Sequence, residues 1–215
     1  MALNHTNRLQ ASWEQGRQRT RSLRPAYGRV SFRATALAAL LSLAAATTTW
    51  AQVSPSVEYQ VKAALLLNIA KFIEWPSDVF KSNTAPITFC VFGHDPFGSV
   101  LDDVLRGKTI NNREILAWRI KELPDLKACQ LIFVGDTEDK RMSEIINSLK
   151  GSSTLTVGES KDFAERGGEI QFYVEENKVR FSTNVDAVQR ARLIVSSKLL
   201  GLARIVHDQG HTNGG

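Results

Sequence analysis

The side chains that most often carry out chemistry in proteins are sparse in this sequence. Of its four histidines, His5 lies near the start and His207 and His211 near the end, which leaves only His94 among the segments with folding patterns. His94 and the following Asp95 could bind a ligand or a metal ion only with help from other residues. We favour a turn for this Gly-His-Asp-Pro segment, and we predict no metal site.

No catalytic motif in the sequence is complete. The tripeptide Gly107-Lys108-Thr109 resembles the end of a phosphate-binding loop, but Asp102 stands where that motif has its first glycine. The nucleophile motif Gly-x-Ser-x-Gly is absent, and Ser196-Ser197 falls inside a predicted helix. Gly167-Gly168-Glu169-Ile170 is best interpreted as a tight turn that opens a strand. We therefore predict no catalytic residues and no cofactor. A hydrolase is the least supported alternative.

The charge of the chain is concentrated in its first 51 residues. Seven arginines and one acidic residue precede Gln52, whereas 20 basic and 21 acidic residues follow. The high isoelectric point therefore belongs to this leader, and we predict no nucleic-acid binding. Arg29 and Arg33, the apolar run Ala34–Ala46 and a small residue at Ala51 form a secretory signal, with cleavage expected after Ala51. An uncleaved anchor is the alternative, and we expect translation to start near Val30.

The sequence has only two cysteines, Cys90 and Cys129. In an exported chain such a pair is more often bridged than free, so we predict one disulfide. Closing a loop of about 40 residues would stabilise the fold by roughly 3 to 4 kcal/mol in the chain-entropy model. Two buried free thiols are the alternative.

Three aromatic residues without catalytic neighbours are candidates for binding a partner or ligand: Phe72, Trp75 and Trp118. Tryptophan is enriched among the residues that dominate interface energetics. Core packing is the alternative for all three, and it is the favoured interpretation of Phe72. A small-molecule pocket formed by His94, Asp95 and Trp75 is a further hypothesis.

The spacing of apolar residues predicts the elements that position these side chains. A first helix covers Val57–Trp75 and buries one stripe, which consists of Val61, Ala64, Leu65, Ile69, Phe72 and Ile73. The predicted strands are Ile87–Phe92, Glu114–Ile120, Leu131–Val134, Thr154–Val157, Glu169–Val174 and Lys178–Thr183. Further helices are predicted over Phe97–Leu105 and Glu138–Leu149. Asp186 is expected to cap one long final helix with an apolar stripe from Val188 to Leu202.

This order of elements predicts an α/β fold. A mostly parallel sheet is flanked by helices on both faces, and a C-terminal antiparallel hairpin and a long packing helix complete it. Right-handed crossovers place the loops after Phe92 and Val134 at one edge of the sheet, the usual position of a binding crevice. We expect a single domain over residues 52–206, followed by a flexible tail over residues 207–215.

Several segments, taken in order, resemble the YfiR-like family of periplasmic regulators. The segments are Glu58-Tyr59-Gln60-Val61-Lys62-Ala63-Ala64, Asn68-Ile69-Ala70-Lys71-Phe72-Ile73-Glu74-Trp75-Pro76, Cys90-Val91-Phe92-Gly93, Asp95-Pro96-Phe97-Gly98, Leu155-Thr156-Val157-Gly158, Val179-Arg180-Phe181 and Ser196-Ser197-Lys198-Leu199-Leu200-Gly201-Leu202-Ala203-Arg204. Together they cover nearly the whole chain after the leader.

The resemblance implies a non-enzymatic periplasmic protein that binds the periplasmic part of an inner-membrane diguanylate cyclase and holds it inactive. Such repression would lower cyclic di-GMP and biofilm formation. It also implies a tendency to form homodimers and a disulfide that supports the repressing form, to which Cys90 and Cys129 correspond. A second, closely spaced cysteine pair found in some relatives has no counterpart here. The alternative is a periplasmic small-molecule sensing module coupled to a membrane histidine kinase.

Overall fold

The computed structural model describes residues 55–209. The predicted leader, its cleavage site and the end of the predicted tail therefore lie outside the described residues. Within residues 55–209, no helix is long and apolar enough to cross a membrane. His207 to Gln209, which we expected in the flexible tail, contact the fold. The backbone N–H of Gln209 donates to the carbonyl of Glu165 at 2.8 Å, and the His207 ring lies 3.1 Å from the Asp186 carboxylate.

An eight-stranded sheet forms the centre of the fold, in the order β10-β8-β7-β6-β5-β2-β4-β3. Its strands are β2 (Ile87–Phe92), β3 (Thr109–Ile110), β4 (Arg113–Ile120), β5 (Leu131–Val134), β6 (Leu155–Gly158), β7 (Ile170–Glu175), β8 (Lys178–Asn184) and β10 (Arg204–Val206). Strands β4, β2, β5, β6 and β7 are successively parallel. The β7–β8 hairpin and the β3–β4 pair are antiparallel. The predicted α/β class with a mostly parallel sheet is confirmed.

Helices cover both faces of this sheet. They are α1 (Pro55–Ala70), α2 (Ser99–Leu105), α3 (Met142–Ser148), α4 (Val185–Arg190) and α5 (Ser197–Leu200). One apolar core joins α1 and α2 to alternate residues of the strands, such as Phe89 and Phe133. A second core lies on the opposite face and includes Cys90, Ile132 and α3. This alternation follows from the two-residue period of side chains along a strand.

The first helix differs from its prediction in both length and buried face. It ends at Ala70, and Ile73–Glu74 forms β1 instead. Val61 and Ala64, which were predicted to face inward, are exposed, while Lys62 and Leu66 are buried. The cause is a lysine on the buried face, which a pattern based on apolar residues assigns to the solvent.

The predicted long final helix is wrong, because the chain forms two short helices there. Arg192 adopts a left-handed conformation (φ 55°) after α4, and β9 (Ile194–Val195) then pairs with β1 in a separate antiparallel sheet. Asn184 caps α4 in place of the predicted Asp186, since its side chain accepts hydrogen bonds from two backbone N–H groups of the first turn. Ser196 caps α5.

Candidate functional site

A crevice lies where the carboxyl ends of β2, β5 and β6 meet the start of α1. It encloses about 360 Å³, and its lining consists of Tyr59, His94, Pro96, Gly135, Asp136, Thr137 and Glu159. We call this the carboxyl-edge crevice. The loops after Phe92 and Val134 form part of it, as expected for consecutive parallel strands with helical crossovers.

An ion cluster centred on the buried Lys62 lies beside this crevice. The Lys62 ammonium group lies 2.5 Å from the Glu58 carboxylate and also contacts the Glu159 carboxylate. It is 4.5 Å from the centre of the Tyr59 ring. Only 5% of the Lys62 side chain is exposed. Because a buried ammonium group is costly unless it is paired, these three contacts explain how a lysine occupies the inner face of α1.

Tyr59 completes the cluster through its hydroxyl group, which donates a hydrogen bond to Glu159 at 3.0 Å. Burial raises the pKa of Tyr59 well above its usual range, and the charge of Glu159 and the hydrogen bond to it raise it further. Tyr59 therefore stays protonated and is a poor base. Since Lys62 is engaged by two carboxylates, the cluster is suited to binding and not to proton transfer or nucleophilic attack.

His94 and Asp95 have different environments despite being adjacent. His94 is exposed and lines the crevice. The Asp95 carboxylate accepts hydrogen bonds from the backbone N–H groups of Phe97 and Gly98, at 2.8 and 3.2 Å, and from Arg119 at 2.9 Å. Asp95 thus stabilises the turn that was favoured from the sequence, and its carboxylate is already engaged by protein donors.

Trp75 lies near the amino end of β5, at the opposite end of the strands from the crevice. Its indole N–H donates to the carbonyl of Gln130 at 3.1 Å, and Gln130 directly precedes β5. His94 follows the end of β2, which is parallel to β5. The hypothesis of one pocket formed by His94, Asp95 and Trp75 is therefore wrong, because the length of a strand separates them. The Trp75 ring packs against the first core.

Phe72 is exposed, in contrast to the favoured interpretation of core packing. Its carbonyl accepts a hydrogen bond from Ser196 at the end of the β1–β9 sheet. In the same sheet, Ile194 lies opposite Glu74, which is two residues after Phe72. The Ile194 side chain is 62% exposed. Phe72 and Ile194 are thus two exposed apolar residues near the ends of the β1–β9 sheet, and Phe72 is one of the predicted partner-binding residues.

Trp118 lies beside the disulfide. Cys90 and Cys129 are bonded, with Cα atoms 6.0 Å apart, as predicted. Cys90 is the register partner of Trp118 across β2 and β4, so both side chains leave the same face of the sheet. Both cysteines are buried, whereas Trp118 is 46% exposed. The disulfide therefore supports the strand next to this exposed tryptophan.

The sequence analysis missed Tyr59, Lys62 and Glu159 as site residues. The i,i+4 spacing of Glu58 and Lys62 is the one local signal for part of the cluster. Glu159 is about 100 residues away along the chain, and only the fold brings it to α1. No group of three or more His, Cys, Asp or Glu side chains in residues 55–209 is arranged to hold a metal ion.

The structure is a mixed α/β domain with a charged crevice, a buried disulfide and exposed aromatic residues. The DUF4154 (YfiR/HmsC-like) family model matches residues 59–204, which is more than half of the chain. The chain belongs to the YfiR/HmsC-like family, as the resemblance in its sequence indicated. This family is periplasmic and regulatory and acts in cyclic di-GMP signalling.

Two solved structures are similar to part of this chain. One is an ABC domain from Streptococcus pneumonia in complex with L-Trp, with 9% identity and a TM-score of 0.45 over 69% of this chain and 62% of that chain. The other is a conserved domain protein from Vibrio cholerae, with 9% identity and a TM-score of 0.47 over 68% of this chain and 59% of that chain. This chain thus spans less than two thirds of either structure.

Proposed function

We propose that this protein is a periplasmic repressor of an inner-membrane diguanylate cyclase. The mature chain, released by cleavage after Ala51, binds the periplasmic domain of the cyclase and holds it inactive, so that cyclic di-GMP and biofilm formation fall. The protein acts by binding and not by catalysis. The family match over residues 59–204 is the observation that carries this proposal.

The surface around Trp118 is our candidate for the cyclase contact. A large aromatic side chain that is 46% exposed is available to a partner without unfolding, and tryptophans of this kind supply much of the energy of interfaces. The neighbouring Cys90–Cys129 disulfide holds β2 to the segment before β5. Reduction would loosen the support of this surface and shift the cyclase toward its active state.

A pull-down with the mature, oxidised protein tests this proposal. The baits are periplasmic domains of the membrane diguanylate cyclases and sensor kinases of the host. We expect capture of a cyclase domain, loss of capture after reduction, and loss in Trp118→Ala. Val174→Ala is the matched control, because Val174 is an equally exposed apolar residue on the distant β7–β8 hairpin. Capture of no cyclase domain would overturn the proposal.

A sensing module coupled to a membrane histidine kinase is the second candidate, and the carboxyl-edge crevice favours it. A crevice of about 360 Å³ lined by ionisable groups at the carboxyl edge of an α/β sheet is a common ligand site. Capture of a kinase domain alone, with loss in His94→Ala and not in Trp118→Ala, would select this function.

We also propose that the protein forms homodimers, with the exposed apolar residues Phe72 and Ile194 as candidate contacts. Analytical ultracentrifugation of the mature protein and of Ile194→Ser tests this point. A wild-type dimer and a monomeric variant with unchanged unfolding would support it, whereas identical sedimentation of the two proteins would contradict it.

A further inference from the structure

A second cavity lies on the opposite face of the sheet from α1, between α3, α4 and the start of β7. It has a volume of about 340 Å³, at the lower end of the range for small-molecule sites. Its apolar walls come from Ile146, Leu149, Ala187 and Ala191. We call it the α3–α4 cavity.

The α3–α4 cavity contains one buried carboxyl group, that of Glu169, a residue that is only 7% exposed. Its Oε2 atom accepts hydrogen bonds from the backbone N–H of Thr156 at 2.8 Å and from the Thr156 hydroxyl group. Within residues 55–209, no side chain other than Thr156 donates a hydrogen bond to this carboxyl group, and no cationic side chain forms an ion pair with it. The carboxyl group therefore keeps acceptor positions for a molecule in the cavity.

The two cationic residues that line the cavity do not neutralise Glu169. Arg190 is bound by both carboxylate oxygens of Asp208, one of them at 3.1 Å. Lys150 is exposed to solvent at the end of α3. Burial raises the pKa of Glu169 to about 7, while the hydrogen bonds from Thr156 and the charge of Arg190 lower it. The carboxyl group thus lacks the partner that a buried charge requires.

Gly167 lines this cavity two residues before Glu169. Its φ of +105° is a conformation that side chains disfavour, and a Cβ atom there would lie 3.5 Å from Ile146 and 3.7 Å from the Arg190 guanidinium. The glycine that the sequence analysis assigned to a tight turn therefore also forms part of the cavity wall.

We infer that the α3–α4 cavity binds a small aliphatic amine, whose ammonium group pairs with Glu169 and whose alkyl chain contacts the apolar walls. An ammonium group offers three donors and a positive charge, so it can donate to the remaining acceptor positions of the carboxyl group and compensate its buried charge at once. A short alkyl chain gains free energy by leaving water for the side chains of α3 and α4. This site is separate from the Trp118 surface and does not depend on the identity of the partner.

Calorimetric titration of the mature protein with n-hexylamine, 1-hexanol and hexanoate tests this inference. The three probes share their alkyl chain and differ in the head group. We expect n-hexylamine to bind about tenfold or more tighter than 1-hexanol, as one charge-assisted hydrogen-bonded pair provides, and hexanoate to bind most weakly. Amide shifts in nuclear magnetic resonance spectra should change for residues of α3, α4 and the start of β7.

Three variants sharpen the test. Glu169→Gln should remove the preference for the amine over the alcohol, whereas Glu175→Gln, at an exposed site of β7, should preserve it. Ala191→Leu should fill the cavity and weaken the binding of all three probes. Equal affinity for amine and alcohol, an unchanged preference in Glu169→Gln, amide shifts confined to other regions, or no saturable binding of the amine would each overturn the inference.

Discussion

Two buried ionisable side chains, Lys62 and Glu169, lie on opposite faces of the same sheet and are treated differently by the fold. Lys62 contacts two carboxylates, those of Glu58 and Glu159. Among residues 55–209, the Glu169 carboxyl group accepts side-chain and main-chain hydrogen bonds from Thr156 and forms no ion pair. Both residues have less than a tenth of their surface exposed.

Because of this difference, we expect the Lys62 ammonium group to stabilise the fold and the buried Glu169 carboxylate to destabilise it. The carboxylates of Glu58 and Glu159 compensate the charge of Lys62, so removal of the ammonium group leaves both carboxylates without a cation. Among residues 55–209, the groups that hydrogen-bond to the Glu169 carboxyl group are neutral. Its pKa is raised mainly because burial disfavours the charged carboxylate. We therefore expect the ion cluster to be structural, and the Glu169 carboxyl group to tolerate neutralisation.

Lys62→Met should cause the largest loss of stability. The variant keeps the length and apolar stem of the side chain but leaves Glu58 and Glu159 without a cation, so the free energy of unfolding should fall by about 3 to 5 kcal/mol. Urea unfolding at neutral pH measures this. Lys71→Met, at an exposed lysine just after α1, is the control and should change stability little. A loss below about 1 kcal/mol in Lys62→Met would show that the ion cluster is not structural.

Glu169→Gln should change how stability depends on pH. The folded-state pKa of Glu169 is raised from 4.5 to about 7, so the protonated group favours the folded state. Its contribution is fully present below about pH 4.5 and is lost as the pH rises through about 7. The stability of the wild type relative to Glu169→Gln should therefore fall over this interval by on the order of 3 kcal/mol and then level off.

Urea unfolding of both proteins across this pH range provides the measurement. The difference between the two proteins isolates Glu169 from other groups that titrate in the same interval. Glu175→Gln serves as the control for loss of an exposed carboxylate. If the stability curves of the wild type and Glu169→Gln ran parallel, the pKa of Glu169 would be the same in the folded and unfolded states, which contradicts this prediction.

Local patterns predicted the central part of the fold well. Ile87–Phe92 and Leu131–Val134 are continuous apolar runs, which is what strands covered on both faces require, and both form as predicted. The hairpin of β7 and β8 also forms, with Glu176 and Asn177 in left-handed conformations at its turn. The position of the crevice at the carboxyl ends of the parallel strands was also predicted, from the order of strands and helices.

Contacts between distant segments explain what the sequence did not predict. The final helix is interrupted because Ile194–Val195 pairs with Ile73–Glu74, more than 100 residues earlier. The buried face of α1 includes Lys62 because Glu159 is brought to it by the fold. The Glu169 carboxyl group is buried by α3 and α4, so the Gly-Gly-Glu segment alone indicated only a turn.

Glu159→Gln and Glu58→Gln should separate the two carboxylates of the ion cluster. Glu159 has 9% of its side chain exposed and also accepts a hydrogen bond from Tyr59, whereas Glu58 is 25% exposed. We expect a loss of about 2 kcal/mol for Glu159→Gln and about 0.5 kcal/mol for Glu58→Gln in urea unfolding. The Glu159 change should also lower the pKa of Tyr59, observable by ultraviolet titration. Equal losses in the two variants would contradict this ranking.

Thr156→Val should have a small effect on stability and should raise the pKa of Glu169 further. The substitution keeps the shape of the side chain but removes the hydroxyl group, whose hydrogen bond to Glu169 favours the carboxylate. It also removes the acceptor for the Glu169 backbone N–H, at 3.2 Å, so a loss of about 1 kcal/mol is expected. Carbon-13 titration of the Glu169 carboxyl group measures the shift. Because the backbone N–H of Thr156 remains, the carboxyl group keeps one donor and its pKa should rise only in part. An unchanged pKa would mean that the Thr156 hydroxyl group does not contribute to it.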